Sequence, residues 1–293
     1  MVNLNKAKEM LISIPIWKGA IIVEPLEGGI TNHNYLITDN NDKYVARFGE
    51  DLIHHQVMRF NELAASKAAF EIGVAPKVIH NEKGLLILEY IQSSPLTPGK
   101  LREENTLKKI ISLMKIIHKK MPNYYKGPAM IFWVFHVIRD YAWTLRKMHS
   151  PYVDKLNHLI EDSNKFEKIS GPYEIVFGHN DLLAANILDD GAKLWIIDWE
   201  YAGFNSPLFD LGGLASNNGL TEDEENFMLE EYFGHKVTLN LKNKYQAMKC
   251  ASLLREVMWS MVSEITSDIE FDFNKYTKEN FDRYKIEKQK FFQ

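Results

Sequence analysis

His179-Asn180-Asp181-Leu182-Leu183-Ala184-Ala185-Asn186, followed by Ile196-Ile197-Asp198-Trp199-Glu200-Tyr201, is the stretch on which the reading of this chain turns. Asp181 and Asn186 stand five residues apart on what reads as one loop, and Asp198 ends an apolar run twelve residues after Asn186. The turn cluster Asp189-Asp190-Gly191 lies between them, so a hairpin would bring Asp198 back beside Asn186. Phosphoryl transfer needs such an arrangement. A carboxylate must aim a hydroxyl and accept its proton, and the metal that neutralises the phosphates takes hard oxygen ligands. Asp181 is therefore the candidate base, and Asn186 and Asp198 are the candidate Mg²⁺ ligands. An H-x-D-x-x-x-x-N string arises by chance in roughly one chain in a hundred of this length. A surface loop rich in Asn and Asp is the bland alternative, and the apolar run ending in Asp198 weighs against it.

Upstream of this stretch the pattern is mostly strand. Residues 21–27 read as a strand broken by Gly28-Gly29, Tyr35–Thr38 as a second, and Lys43–Phe48 as a third. Gln56–Ile72 reads as a helix, with Val57, Phe60, Leu63 and Ala64 at helical spacing and Gly73 as its stop. Residues 77–80 and 85–91 read as two further strands around the Asn81–Gly84 turn. Ser93–Pro98 has the composition of a linker. Beyond it, Leu101–His118, Val134–Lys147, Glu222–Phe233 and Ala247–Ile265 show helical apolar periodicity, with Ile175–Phe177 and Leu194–Ile197 as short apolar runs between them. This predicts an α+β chain in two parts: a small antiparallel β lobe over residues 1–92 ending in a hinge strand, and a larger, mainly helical lobe over 93–293.

The bulk numbers agree. A chain of 293 residues is long for one core. Hydrophobic residues make up 45% and charged residues 25%, as in ordinary globular proteins. A net charge of −4 gives no long-range attraction for phosphate backbones, so no nucleic-acid partner is expected. No apolar run is long enough to cross a bilayer, and Met1–Met10 has no signal-type apolar segment. The single cysteine, Cys250, reads as a core residue beside Leu254. A cytoplasmic protein with no membrane partner is the expectation. His54-His55 reads as a solvated helix start, and His179 as a brace of its loop.

The string 179–186 resembles the catalytic loop of the protein-kinase-like phosphotransferases. With Ile197-Asp198-Trp199-Glu200-Tyr201 it is more similar to the choline kinase and aminoglycoside phosphotransferase group, and the Glu-Tyr extension resembles the bacterial-type choline/ethanolamine kinase family. The resemblance runs from about Leu26 to Tyr284. It implies the two-lobed protein-kinase-like fold, an ATP-dependent kinase, and ATP and Mg²⁺ as cofactors. Gly28, Gly29, Thr31 and Asn32 match the family's phosphate loop, where glycines let backbone N–H groups approach phosphate oxygens. Arg47 stands at the strand position that carries a basic residue, and Glu62 at that of its helix partner. Glu89 and Ile91 fall on the hinge strand, whose backbone would meet adenine. Asp210 matches an Asp that braces the catalytic loop from below.

The same resemblance implies an acceptor pocket. A quaternary ammonium donates no hydrogen bond and is held by aromatic faces and nearby carboxylates. Tyr201, Trp259 and Tyr276 match the family's aromatic cage, and Asp181 would face the acceptor hydroxyl. Eukaryotic members have a second Trp where this chain has Glu256, and an acidic residue near Asn217. Glu256 lies one helical turn from Trp259 and could supply the missing charge. The expected acceptor is a small cationic amino alcohol, choline first. Ethanolamine, thiamine, an aminoglycoside or a sugar are the alternatives within the class, and a non-catalytic nucleotide-binding pseudokinase is the alternative outside it. A homodimer is among the assembly states left open.

Overall fold

The computed structural model describes residues 3–26 and 32–292. A first helix, α1 (Leu4–Ile12), is capped by the Asn3 side chain, which accepts the Lys6 N–H at 3.0 Å. Its buried residues, Ala7 and Leu11, pack on a five-stranded antiparallel sheet. The strands are β1 (Ile21–Leu26), β2 (His33–Asp39), β3 (Asp42–Phe48), β4 (Val78–Glu82) and β5 (Leu85–Glu89), in the order β1-β2-β3-β5-β4. Tyr35 and Ile37 alternate inward along β2, as a half-buried strand requires. With Val23, Ala46, Phe48, Leu85 and Ile87 they form a separate small core.

The helix between β3 and β4, α2 (Arg59–Glu71), differs from its predicted face. Val57 precedes it and bridges back to Leu52, and Phe60 is 46% exposed. The buried side instead carries Asn61, Glu62, Ala65, Ser66, Ala68 and Ala69. Apolar periodicity misread this helix because its inward face is polar and meets polar partners: Asn61 donates to the Ala202 carbonyl at 2.8 Å, and Glu62 accepts from Arg47.

The second part begins with β6 (Ser94–Pro95), α3 (Pro98–Arg102) and α4 (Glu104–Tyr124), followed by α5 (Val134–Lys147) and α6 (Val153–Ser170). Four short strands come next, β7 (Val176–Gly178), β8 (Ile187–Asp189), β9 (Leu194–Ile196) and β10 (Gly203–Asn205). The chain closes with α7 (Pro207–Asn218), α8 (Glu222–Phe233), α9 (Leu239–Thr266) and α10 (Phe273–Phe292). Strand β7 pairs with β10 rather than with the apolar run at Leu194, which pairs with β8 across the Asp190 turn. The larger core is built around α9, buried almost continuously from Tyr245 to Ser263. Cys250 lies in that core. No helix among the described residues is long and apolar enough to cross a membrane.

His54-His55 does not start a helix in solvent. Ile53–His55 is a single 3₁₀ turn, and the His55 ring is 6% exposed, 5.2 Å from Trp259 and against Tyr141. Burial, with Arg255 adding, lowers the His55 pKa to about 3, so the ring stays uncharged there.

Helix α7 approaches α9 closely at Gly212. A Cβ added there would lie 2.9 Å from the Lys249 Cα and 3.0 Å from its N, backbone atoms that cannot swing aside. At the neighbouring Gly213 the nearest atom is the Ser252 hydroxyl at 3.5 Å, an ordinary contact. Gly212→Val should therefore lower stability by about 1–3 kcal/mol, while Gly213→Ala stays near wild type. Thermal melts of both variants check this, and equal midpoints would remove the close approach as a constraint.

Candidate active site

The loop between β7 and β8 carries Asp181, and its shape is set from below. Asp210, in the first turn of α7, accepts the His179 N–H at 2.9 Å on one oxygen and the Asn180 N–H at 2.7 Å on the other. Burial opposes its charge, but the hydrogen bond from His118 and the charges and N–H groups around it hold its pKa below the ordinary value. The His118 Nε2–H donates to Asp210 at 2.9 Å, and its Nδ1 lies 2.7 Å from the Tyr232 hydroxyl. Asn180 has φ of +67°, a left-handed conformation, and its amide donates to the Tyr201 carbonyl at 2.9 Å. Asn218 closes the other side: its oxygen accepts the Ala184 N–H at 2.8 Å, and its amide donates to the Leu182 carbonyl at 3.1 Å.

Two contacts then bring the candidate metal ligands together. The Asn186 amide donates to the Asp181 carbonyl at 3.0 Å, which leaves its oxygen available. The Ile197 N–H donates to the Asn186 carbonyl at 3.0 Å, which sets Asp198 alongside. Asp198 also has positive φ, +67°. His179 spans the two segments, with Nε2 donating to the Ile197 carbonyl at 3.0 Å and Nδ1 accepting the Asp181 N–H at 3.3 Å. Burial lowers its pKa, in keeping with a neutral brace.

Across the cleft, Arg47 on β3 donates through Nη2 to Asp198 at 2.6 Å and through Nε to Glu62 at 3.1 Å. Burial works against its charge, but Asp198, Glu62 and Glu200 outweigh it and raise its pKa. Arg59, which sequence reasoning missed, donates to Glu62 at 2.6 Å and to Glu200 at 3.2 Å. Glu200 was also missed as a site residue, and it accepts the Asn32 amide at 3.0 Å. Of the predicted phosphate-loop residues Asn32 is described, and Gly28, Gly29 and Thr31 lie outside the described residues. Glu89 ends β5 with its side chain exposed and its N–H donated to the Lys77 carbonyl. The half-buried Ile91 follows, its carbonyl accepting the Ser93 hydroxyl.

The acceptor candidates gather beside Asp181. Trp259 donates to the Tyr201 hydroxyl at 3.0 Å, the Trp259 and Tyr276 rings lie 6.2 Å apart, and the Tyr276 hydroxyl donates to Glu256 at 2.7 Å. One residue here went unread in the sequence. Arg255 lies over the Tyr201 ring at 4.4 Å and donates to Glu256 at 2.9 Å. A lone Arg on a long helix reads as a solvated residue, and only the fold places it inside.

The donor set fits magnesium. Asn186 and Asp198 present an amide oxygen and a carboxylate, and the ion characteristically takes one or two protein oxygens and completes its shell with phosphate and water. The surroundings are also short of positive charge. Burial pushes Asp181 up to about 8, with Glu256, Asp198 and Glu200 adding and Arg255 opposing. Burial pushes Glu200 up to about 7, with Asp198 and Glu62 adding.

Comparison with known proteins gives one family. The choline/ethanolamine kinase family model matches residues 23–227. The protein LicA of Haemophilus influenzae is 26% identical over 270 residues, covering 87% of this chain and 76% of its own. Human ethanolamine kinase 2 is 27% identical over 302 residues, covering 92% and 77%. The crystal structure of choline kinase LicA from Streptococcus pneumoniae superposes with a TM-score of 0.79 at 21% identity, over 97% of this chain and 99% of that one.

Because Asp210 holds the loop through two backbone N–H groups, Asp210→Ala should leave the fold intact yet let Asp181 drift. A displacement of an ångström costs about 100-fold in turnover. Steady-state kinetics should show that loss in kcat with KM for ATP within about threefold, and an unchanged kcat would end the bracing role.

Proposed function

The chain belongs to the choline/ethanolamine kinase family, and from that premise we propose that Asp181 directs the γ-phosphate of ATP onto the hydroxyl of a small amino alcohol, with choline as the reference compound. The protein is an ATP-dependent small-molecule kinase of the choline/ethanolamine class. The observation that supports the residue assignment is the chain of bonds from the Asp181 carbonyl to the Asn186 amide, from the Asn186 carbonyl to the Ile197 N–H, and from Asp198 to Arg47.

Each residue has a separable task. Asn32, held by Glu200, would anchor one end of the phosphate loop, and the hinge backbone at Glu89 and Ile91 would meet the base. Arg47, fixed by Glu62 and Asp198, would bring positive charge to the phosphate oxygens. Asn186 and Asp198 would hold magnesium, which supplies positive charge against the phosphates. Asp181 aims the acceptor hydroxyl and takes its proton. The Trp259 and Tyr276 rings and the Glu256 carboxylate receive the ammonium. Catalysis is then positioning and charge stabilisation.

Asp181→Asn should lose about 1,000-fold or more in ADP release while still binding nucleotide. An assay over choline, ethanolamine and thiamine in the presence of magnesium and ATP checks this, and near-wild-type turnover by the variant would sink the base assignment. A pH profile adds a second check. A base pushed up to about 8 in the free protein is protonated, and idle, at lower pH. The acceptor kcat/KM should therefore fall as pH is lowered through that range. Measured at saturating magnesium and ATP, an acceptor kcat/KM that stays flat as pH is lowered would contradict the base assignment.

A further inference from the structure

The turn that carries His55 joins β3 to α2 and lies on the helical half of the molecule. Its base is closed by Leu52 and Val57, each of which donates its N–H to the other's carbonyl, at 2.9 and 3.1 Å. Gln56, left-handed at φ +59°, donates to Asp140 on α5 at 2.8 Å. Held in this way, the His55 side chain is buried against Tyr141 of α5 and against Trp259 and Ser263 of α9.

Its contact with Trp259 is face to face. Among the rings around Trp259, His55 is the nearest and the closest to parallel, at 5.2 Å and 36°. Phe273 lies at 6.0 Å and 61°, and Tyr276 at 6.2 Å and 80°. Both imidazole nitrogens are also used. The Ser263 hydroxyl donates its one proton to the Trp259 carbonyl at 3.0 Å, so toward His55 it accepts, from Nε2–H at 3.1 Å. Nδ1 is then without a proton and accepts the Tyr141 hydroxyl at 3.4 Å. His55 therefore meets residue 259 twice, at its ring and, through Ser263, at its carbonyl.

The neutral ring suits this place better than other side chains. A phenyl ring would leave the Tyr141 and Ser263 hydroxyls without this partner. A Lys or Arg would set a cation on the indole, and a cation on one face repels a second on the other. Burial, with Arg255 adding, keeps His55 uncharged.

On the kinase reading above, we propose that His55 is a positioning residue for the acceptor: its uncharged ring backs Trp259, fixes the plane of the indole and leaves the opposite face to the ammonium of choline or ethanolamine. His55 acts through Trp259, so its effect falls on the charge of the acceptor. The acceptor hydroxyl and the nucleotide are served by other residues.

The test measures ADP release with choline, ethanolamine and the uncharged isostere of each, in which carbon replaces nitrogen. The wild type should favour the cation in each pair. His55→Ala should raise KM for the better cation by about tenfold, while kcat, KM for ATP and kcat/KM for the uncharged isostere stay within about twofold. Ser263→Ala removes only the Nε2 partner and suits a helix, so it decides the matter if His55→Ala does not fold. It should raise the same KM by about threefold. An equal loss for cation and isostere, or a KM for ATP that rises in step, would mean a general loosening of the fold and overturn the positioning role. An unchanged cation KM in both variants would overturn it too, and each of these results leaves the kinase reading standing. No ADP from choline or ethanolamine with wild-type protein that binds nucleotide would overturn that reading and the inference with it.

Discussion

A buried group of two guanidiniums and three carboxylates joins the halves of this molecule. Arg47, Arg59 and Glu62 come from the β lobe and its helix, and Asp198 and Glu200 from the strand end beyond the catalytic loop. Arg47, Glu62 and Glu200 are all buried. Removing one member of such a set strands the others without compensation, which is why these pairs enforce a geometry more than they add stability. The geometry enforced is the one the proposed phosphoryl transfer uses. Arg47 cannot reach both Glu62 and Asp198 unless the sheet, α2 and the end of β9 are in register, and Glu200 cannot hold both Arg59 and Asn32 unless the end of the phosphate loop is in place.

The catalytic loop solves a different problem, since it must hold irregular backbone inside the protein without orphaning polar groups. Asp210 and Asn218 do this from α7, supplying acceptors and donors to four backbone groups of residues 179–184. Asn180 and Asp198 are both left-handed here, and each side chain is held by a neighbour, Asn180 by the Tyr201 carbonyl and Asp198 by Arg47. Gly212 lets α7 sit close enough to α9 for that support to be rigid.

What could be read from the sequence was what is local. Asp181, Asn186 and Asp198 lie within one short stretch, so their spacing alone suggests a hairpin returning one carboxylate to the other, and β8 and β9 form that hairpin. The strands of the sheet were likewise visible through alternation and turn residues. Arg59 and Glu200 were hidden because their partners are far along the chain, and a charged residue on a helix or after a strand reads by default as solvated. The inward face of α2 was misread for the same reason: it buries Asn61 and Glu62, which carry no hydrophobic signal. His55 was missed because its burial depends on Trp259 and Ser263, about two hundred residues away.

The two halves of the site are constrained unequally. The phosphate half is tied by interlocking charges, where a change at one position strands several groups at once. The proposed acceptor half is borne largely by α9, where Arg255 bonds Glu256, Glu256 accepts from Tyr276 and Trp259 donates to Tyr201. A helix buried along that much of its length cannot bend to suit a new ligand. Selectivity must then change through the side chains it presents, and those side chains can change without touching the lobe-joining network. An Arg and a Glu side by side there also bear on Asp181, Arg255 favouring its carboxylate and Glu256 opposing it.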